Sequence, residues 1–505
     1  MDYSALDRRL SLLFAFLVLG TASPQPVHAF GVVGTGTADS CTEAALDTAL
    51  VGGGDVAFNC GPIPVSITVT SQKIIGLNTR INGGNLITLD GKSKTSVIGV
   101  NSGATLALAN MTIANGHSAS PEDGGAIYNA GTLTVTQSAF FDNSADSGHG
   151  GAIWNADTLT VTNSTFSGNS ALYGAGIYND FGTLTVINST FSGNNAYYEG
   201  GAISRSHGAL TVINSTFSGN SAGNLGGAIE TVGSVGTVAV TNSTFSGNQA
   251  GDGGAIDSES ADTLTVTNST FSGYSVSRGT GGAIRSYRAA LTVTASTFSG
   301  NSATPGPGGA IDVPPVCGPF GLAPCPATLT NTIVANSTES GDCVGTITDG
   351  GHNLDDDGSC GFSAANGSFS NTNPMLAPAG LADNGGPTPT IALQVGSPAI
   401  NAGDQAICAA APLNNLDQRG YVRPGTGATN CSIGAYEFNS PGRPCVGDCN
   451  SDRHVTVDEI LTMGNVALGN ASLTMCNTGD ANHDSQVTVD EILTAVHNAL
   501  NGCDG

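Results

Sequence analysis

Positive charge is what this chain has least of: 14 Lys and Arg stand against 39 Asp and Glu in 505 residues, a formal charge of −25. That balance excludes nucleic acid and anionic membrane as partners, because both repel an acidic surface. It also disfavours polyuronides unless a metal ion bridges the two. Charged residues of either sign make up only 10% of the chain, yet this is not a disordered composition. Val, Ile, Leu and Phe recur with a strict local period, which disordered segments lack. No apolar run after residue 29 is long enough to span a bilayer. Cys-x-x-Cys pairs are missing, so a zinc site is not expected. Tryptophan occurs once, at Trp154.

The N-terminus has the marks of a secretory signal over residues 1–29. Arg8 and Arg9 precede the apolar stretch Leu10 to Leu19, and Val27-His28-Ala29 supplies a small-x-small cleavage site before Phe30. The mature protein is therefore expected outside the cell or at its surface, with no transmembrane segment once the signal is removed. An even count of 12 cysteines fits an oxidising destination. Close spacing suggests Cys41 with Cys60, Cys317 with Cys325, Cys343 with Cys360 and Cys408 with Cys431. Cys445, Cys449, Cys476 and Cys503 remain for the C-terminal segment, with their pairing left open.

Glycine, in contrast, is abundant at 72 residues, and it is periodic. Gly-Gly-Ala-Ile begins at Gly124, Gly150, Gly200, Gly226, Gly253, Gly281 and Gly308, and Gly174-Ala175-Gly176-Ile177 fills the remaining slot. Phe140, Phe166, Phe191, Phe217, Phe245, Phe271 and Phe298 follow in step. Successive copies lie 24 to 28 residues apart, which predicts a solenoid in which no unit buries its apolar face alone. Each unit holds an alternating run such as Thr132-Leu-Thr-Val-Thr, with Leu133 and Val135 inward and the threonines outward. The Gly pair marks a tight corner. Asn143, Asn169, Asn194, Asn220, Asn248 and Asn301 are expected at a second corner in left-handed backbone, forming a ladder of amides about 4.8 Å apart. The phenylalanines are expected to stack as an interior column. The recurring Asn-Ser-Thr triplets match a glycosylation sequon, but the coil turn accounts for their recurrence.

Gly-Gly-Ala-Ile with Phe-x-x-Asn closely resembles the repeats of polymorphic outer-membrane proteins. The resemblance implies a right-handed, single-stranded parallel β-helix of the pectin-lyase-like kind. The chain departs from that family in finishing Cys503-Asp504-Gly505 without a transporter barrel, so autotransport is not expected. Around this array, over residues 121–312, the boundaries fall as follows. Residues 30–120 form an N-terminal cap and first coils, with Thr42 to Leu50 the one helical stretch, suited to covering the open end. Over residues 313–438 the period fades into Gly351-His-Asn-Leu-Asp-Asp-Asp-Gly, Asn384-Gly-Gly-Pro-Thr-Pro-Thr, Gly396-Ser-Pro-Ala-Ile-Asn-Ala-Gly-Asp, Asp417-Gln-Arg-Gly and Ile433-Gly-Ala-Tyr-Glu. That order is similar to the choice-of-anchor β-helix family, which implies attachment at a surface more than an activity. Residues 439–447 read as a linker.

Residues 448–505 hold two near-copies spaced 32 residues apart. Oxygen donors at loop positions one, three and five, a carbonyl at seven and a Glu at twelve are what a hard Ca²⁺ ion requires. Asp448, Asn450, Asp452, Thr456 and Glu459, with the His454 carbonyl, form the first set. Asp480, Asn482, Asp484, Thr488 and Glu491, with the Gln486 carbonyl, form the second. Arg453 and Ser485 replace the usual glycine at position six. Each loop leads into an apolar-spaced helix, while Pro441 and Pro444 oppose a helix entering the first loop. Loop-helix pairs of this kind resemble dockerins, which implies an EF-hand-like calcium module and a cohesin-like or cell-surface partner.

The residue after Ile varies from unit to unit: Tyr128, Trp154, Tyr178, Ser204, Glu230, Asp257, Arg285, Asp312. Charges there imply that the slot faces solvent, so Tyr128, Trp154 and Tyr178 are expected to stack in an exposed file suited to a polysaccharide. For catalysis, a lyase needs a base beside metal-held carboxylates, and a hydrolase needs paired carboxylates. Between residues 120 and 312 the basic side chains besides His are Arg205, Arg278, Arg285 and Arg288. Arg285 and Arg288 near Asp257 and Asp312 come nearest to a lyase cluster, but a solvated pair offsetting acids is the plainer expectation. Asp355-Asp356-Asp357 is expected to be a turn, and His117, His149 and His207 to be solvated. The sequence thus favours a secreted or cell-surface β-helix acting in adhesion or carbohydrate contact without catalysis, with a polysaccharide lyase or glycoside hydrolase as the alternative.

Overall fold

The computed structural model describes residues 30–503 apart from 119–122, 234–235, 260–262, 277–278, 305, 315–325, 339–340, 444, 451–453 and 482–485. The signal segment, Arg278, Cys317, Cys325, Asp452, Asn482 and Asp484 therefore lie outside the described residues.

The array is a parallel β-helix. One coil runs through the strands Ile127–Asn129, Thr132–Thr136, Ala139–Phe141 and Ser144–His149. Ile strands stack into an 11-stranded sheet, called here the Ile sheet, and the last strands into a five-stranded one. The Leu/Val and Phe strands belong to one 23-stranded sheet, continuous through the long early strands Thr79–Asp90 and Thr105–Ala114. Register is strict: Leu133 pairs with Leu159 and Phe140 with Phe166.

Strict register makes like contact like. The seven phenylalanines stack at 4.6–4.9 Å with their planes within 7°, which is the strand spacing itself. Beside them runs the predicted amide ladder. Asn143 Nδ2 donates to Asn169 Oδ1 at 2.9 Å, and the pattern continues to Asn194, Asn220 and Asn248. At the next coil Tyr274 replaces Asn, and its hydroxyl receives the Asn248 amide at 3.3 Å. A second ladder joins Asn129, Asn155 and Asn179 at 2.6 Å before giving way to buried Arg205. Ser138, Ser164, Ser189, Ser215, Ser243, Ser269 and Ser296 form a third, each hydroxyl accepting the backbone N–H of the preceding coil.

These ladders correct one expectation. The Phe-x-x-Asn asparagines are not in left-handed backbone; they are buried because their amides bridge coils. Left-handed angles fall on the preceding glycines and on the Asn of Asn-Ser-Thr, with φ of 49–53° at Asn163, Asn188, Asn214, Asn242 and Asn268. The triplet is thus a bend followed by a ladder serine.

The helix Glu43–Leu50, capped by Thr42, buries Leu46 and Ala49 in the core of the first coils. Lys73, almost wholly buried, ties it down through ion pairs of 2.7 Å to Glu43 and Asp47. Burial alone would raise the Glu43 carboxyl, but Lys73 and the Thr70 and Ser71 donors hold it down at about 2.

Beyond the last coils the chain returns along the Asn-Ser-Thr corner. Gln418 donates to Thr244 Oγ1 at 2.8 Å and accepts from Thr270 Oγ1 at 2.6 Å. Arg423 reaches Asn268 Oδ1 at 3.1 Å, and Asn331 Oδ1 accepts from Asp404 N–H at 2.8 Å. Arg419 bonds Asp417 and packs over the rings of Tyr421 and Tyr436 at 4.2 and 3.7 Å. The Asp417-Gln-Arg-Gly and Ile433-Gly-Ala-Tyr-Glu motifs therefore clasp this segment onto the coils. Disulfides join Cys41–Cys60, Cys343–Cys360, Cys408–Cys431, Cys445–Cys503 and Cys449–Cys476. Residues 445–503 keep an apolar core of their own, including Ile460, Met463, Val487 and Ile492. Among the described residues no helix is long and apolar enough to cross a membrane.

Two glycines separate conformation from space. Left-handed Gly193 has nothing within 4 Å of where a Cβ would sit, whereas a Cβ on Gly201 would overlap the Gly227 carbonyl oxygen of the next coil. Gly193→Asn is expected to change stability by no more than about 0.5 kcal/mol, and Gly201→Ala to cost more than about 2 kcal/mol. Thermal unfolding followed by circular dichroism checks both, and equal losses would contradict the assignment.

Candidate functional site

The varied slot after Ile lies on the outer face of the Ile sheet, and its residues are in register: Tyr128, Trp154, Tyr178, Ser204, Glu230, Asp257, Arg285, Asp312. It is not uniformly exposed, contrary to expectation. Tyr128 is 36% exposed and Trp154 and Tyr178 are half-buried. Ser204, Glu230, Asp257 and Asp312 are buried, and Arg285 nearly so. Beside it, one corner earlier, runs a second file that holds the residues before the Gly pairs: Asp123, His149, Tyr173, Glu199, Leu225, Asp252, Thr280 and Pro307. Glu199, Leu225 and Asp252 bridge to one another between coils alongside the slot.

The aromatic end differs from a simple stack. Tyr128 and Trp154 do stack, at 4.4 Å and 14°. Tyr178 instead turns to His149, ring to ring at 4.5 Å and 47°. His149 also stacks on Tyr173 at 5.1 Å and meets Asp123 at 2.9 Å through Nδ1. It is an integral part of this wall and not a merely solvated corner residue. His207 is likewise engaged, stacked at 4.2 Å on Phe181. Phe181 and Tyr197 are each about two-thirds exposed, one after the Ile strand and one before it. Composition could have pointed to these walls, since Tyr173, Phe181, Tyr197 and Tyr198 cluster within three coils. The burial of Tyr178 pushes its hydroxyl up to about 12, so it stays protonated as a donor.

At the acidic end Ser204 Oγ donates to Glu230 Oε2 at 2.7 Å. Burial pushes the Glu230 carboxyl well above its ordinary range, and the nearby charges of Glu199, Asp257 and Glu259 add to this. Arg285 Nη1 donates to Asp257 Oδ2 at 2.8 Å and to Glu259 Oε1 at 3.2 Å, leaving Asp257 Oδ1 unpartnered. Arg285 is therefore neither solvated nor able to act as a base. Burial would lower its pKa, but the charges of Asp257, Asp252 and Glu259 outweigh that and hold it protonated. Arg288 lies over the Tyr287 ring at 4.9 Å rather than beside the acids. Asp312 is buried under Arg285 and Thr280. The triplet Asp355-Asp356-Asp357 is not all turn: Asp355 ends the strand Leu354–Asp355 and is buried, and the chain bends only at Asp356 and Asp357, while all three carboxylates accept backbone N–H groups.

In the C-terminal segment Asp448 and Asp480, the first positions of the two loops, are buried, as are Glu459 and Glu491, the last. Glu459 Oε1 accepts from Cys449 N at 3.0 Å and Asn450 N at 3.3 Å, so each end of the loop meets the other. Glu491 Oε1 accepts from Ala481 N at 2.7 Å in the same way. Thr456 and Thr488 cap the helices Val457–Ala467 and Val489–Asn501, bonding Glu459 and Glu491 in capping boxes. His454 and Gln486 are exposed. Asp452, Asn482 and Asp484 belong to residues outside those described. The oxygen-only donors at the loop ends fit a hard cation.

Glu230 generates a pH dependence. Its folded pKa lies above the ordinary 4.5, so its contribution to stability is complete below that value and is lost as pH rises through the folded one. Glu230→Gln, which keeps a partner for Ser204, is expected to flatten the decline in melting temperature between pH 5 and 9. A variant that declined as steeply as the parent would place the effect elsewhere.

Comparison with known sequences gives one match: the Chlamydia polymorphic membrane protein repeat, at residues 214–231 and 242–259. No curated protein and no solved structure matches the chain. Two stretches of this parallel β-helix are thus similar to polymorphic membrane protein repeats.

Proposed function

We propose that this protein is exported to the cell surface or beyond, where it contacts extracellular carbohydrate without catalysis through the aromatic end of the slot on the Ile sheet. The observation that supports this is the Tyr128–Trp154 stack, partly exposed, with further exposed rings at Phe181 and Tyr197 in the coils that follow. Rings stacked on one another present their edges outward, where the Tyr hydroxyl and the indole N–H can bond sugar hydroxyls. Phe181 and Tyr197 add apolar surface at either corner. An aromatic patch of this kind, on a chain with 6% aromatics, marks a contact surface more than a shield. The five disulfides among the described residues accord with an oxidising location, and surface location is what the name of the matched repeat suggests. Burial of Glu230 and Asp257 and the pairing of Arg285 favour contact over catalysis, because a polymer cannot reach the acids from solvent.

In the same reading residues 448–505 form a dockerin-like calcium module that attaches or stabilises the protein, with a cohesin-like or other surface partner. Asp448, Asn450, Asp452, Thr456, Glu459 and the His454 carbonyl would hold one ion. Asp480, Asn482, Asp484, Thr488, Glu491 and the Gln486 carbonyl would hold the other. Each ion would neutralise the carboxylates that its loop draws together.

On a glycan array, Trp154→Ala is expected to weaken binding at least tenfold, and an unchanged profile would sink the role given to the slot. Incubation with a polysaccharide panel and Ca²⁺ is expected to release neither unsaturated products nor reducing ends; turnover abolished by Arg285→Ala would establish the lyase alternative instead. Calorimetry on residues 440–505 is expected to show Ca²⁺ binding that Glu459→Ala with Glu491→Ala removes. Absence of heat in the parent module would refute the calcium assignment.

A further inference from the structure

The interior ladders enforce repetition inside the coils, yet one outer face repeats as strictly with no ladder behind it. It belongs to the Leu/Val strands, from residues 105–109 through Thr132–Thr136 and Thr158–Thr162 to Ala290–Thr294. Thr132, Thr134 and Thr136 stand in register with Thr158, Thr160 and Thr162, and the pairing of these strands runs on without a shift. Every outward position in them is Thr, Ala or Ile. Strand propensity accounts for threonine. It does not account for the exclusion of charge, since the slot on the outer face of the Ile sheet accepts Glu230, Asp257 and Arg285. With no interior partner to match, uniformity here matches something outside the protein.

The hydroxyls are available to it. Thr183 is exposed, and Thr132, Thr134, Thr136, Thr160 and Thr185 are partly so. The hydroxyls of Thr134, Thr136, Thr160, Thr162 and Thr185 meet no partner in the protein. That of Thr158 reaches the Asp157 carboxylate at 3.2 Å. Thr267 is buried where the returning segment bonds Asn268, so the open grid lies before it, on the strands between residues 105 and 213.

The fold sets the dimensions of this grid. Neighbouring coils are 4.6–4.9 Å apart, as the phenylalanine column shows, and like-facing residues of one strand lie about 6.6 Å apart. Water oxygens bonded tetrahedrally at about 2.75 Å place second neighbours about 4.5 Å apart, with a lattice repeat of about 7.4 Å at right angles. The match is close along the solenoid axis and looser along the strand. Each hydroxyl both donates and accepts, as a lattice oxygen does. A polysaccharide suits the face less well, because no aromatic ring stands on it for a sugar to lie against. A charged ligand would find no counter-charge.

We propose that this threonine face binds crystalline water, making the protein an ice-adsorbing one through a sheet separate from the aromatic slot. A single hydroxyl gains little by exchanging liquid water for ice. Affinity therefore comes from many hydroxyls held in register, and one large charged side chain in their midst disrupts the fit of its neighbours too.

The test freezes the full mature chain slowly from dilute solution beside albumin and compares the two in the ice fraction. The chain is expected to be enriched at least tenfold over albumin, and ice crystals grown in it to become faceted. Thr160→Lys and Thr185→Lys, both within the grid, are each expected to lose the enrichment at an unchanged melting temperature. Gly193→Asn, at a corner away from the grid, is expected to keep it. A parent left out of the ice as fully as albumin would overturn the proposal, as would enrichment that neither lysine variant reduces. Exclusion from ice with a dimer in sedimentation that Thr160→Lys splits would give the face to a second copy instead. Exclusion with adsorption to insoluble polysaccharide, lost in the same variant, would give it to a glycan.

Discussion

A buried amide in this solenoid is satisfied by bonds to the coils on either side, its own kind included, and that constraint governs the rest of the structure. Asn194 donates to Asn220 and accepts from Asn169, so neither neighbour can change alone. An amide left unpaired inside the coil costs about 1–3 kcal/mol. The phenylalanine column obeys the same rule for a different reason, since a smaller ring would leave a gap between two others. Parallel strands in strict register thus convert one coil's requirement into a requirement on every coil. Repetition in the sequence is the record of that demand.

The constraint is local to the interior, which is why the outer slot after Ile is free to carry Tyr, Trp, Ser, Glu, Asp or Arg. Freedom from the ladder does not amount to freedom from packing. Glu230 and Asp257 vary in identity yet are buried, beside a corner one strand earlier that also lacks a ladder. The slot is therefore divided by the pairing of two variable files. Where both files carry aromatics, rings lean on rings and part of the surface stays open. Where both carry acids, the slot closes and one arginine is drawn in to balance the charge.

Legibility in the sequence follows the same division. The coil, the phenylalanine column, the amide ladder, the capping helix and the Cys41–Cys60, Cys343–Cys360 and Cys408–Cys431 disulfides could be read because each depends on neighbours at a fixed or short separation. The left-handed corner was misassigned because an Asn in a repeat has two separate uses, a bend at Asn163 and a ladder at Asn169, and composition does not tell them apart. Tyr178 was expected to continue the Tyr128–Trp154 stack, but His149 competes for its ring. The clasp formed by Gln418 and Arg423 was legible only as a set of motifs, since its contacts reach about 150 residues back along the chain with no period to reveal them.

The end of the array shows what happens when the constraint lapses. Tyr274 already interrupts the ladder, taking up the Asn248 amide with its hydroxyl. After Asn301 the side-chain bonds become individual: Asn331 to Asp404, Asn353 to Asp349, Gln418 to five different residues. A solenoid end cannot borrow a bond from a coil that does not exist. It needs non-repeating chain to supply donors and acceptors, and this molecule uses the segment that turns back along its own corner. The motifs at residues 384–437 are dense in buried Asp, Gln, Arg and Glu for that reason. They close the β-helix before anything attached beyond it is reached, so their role in holding the coils together is separate from whatever the C-terminal loops bind.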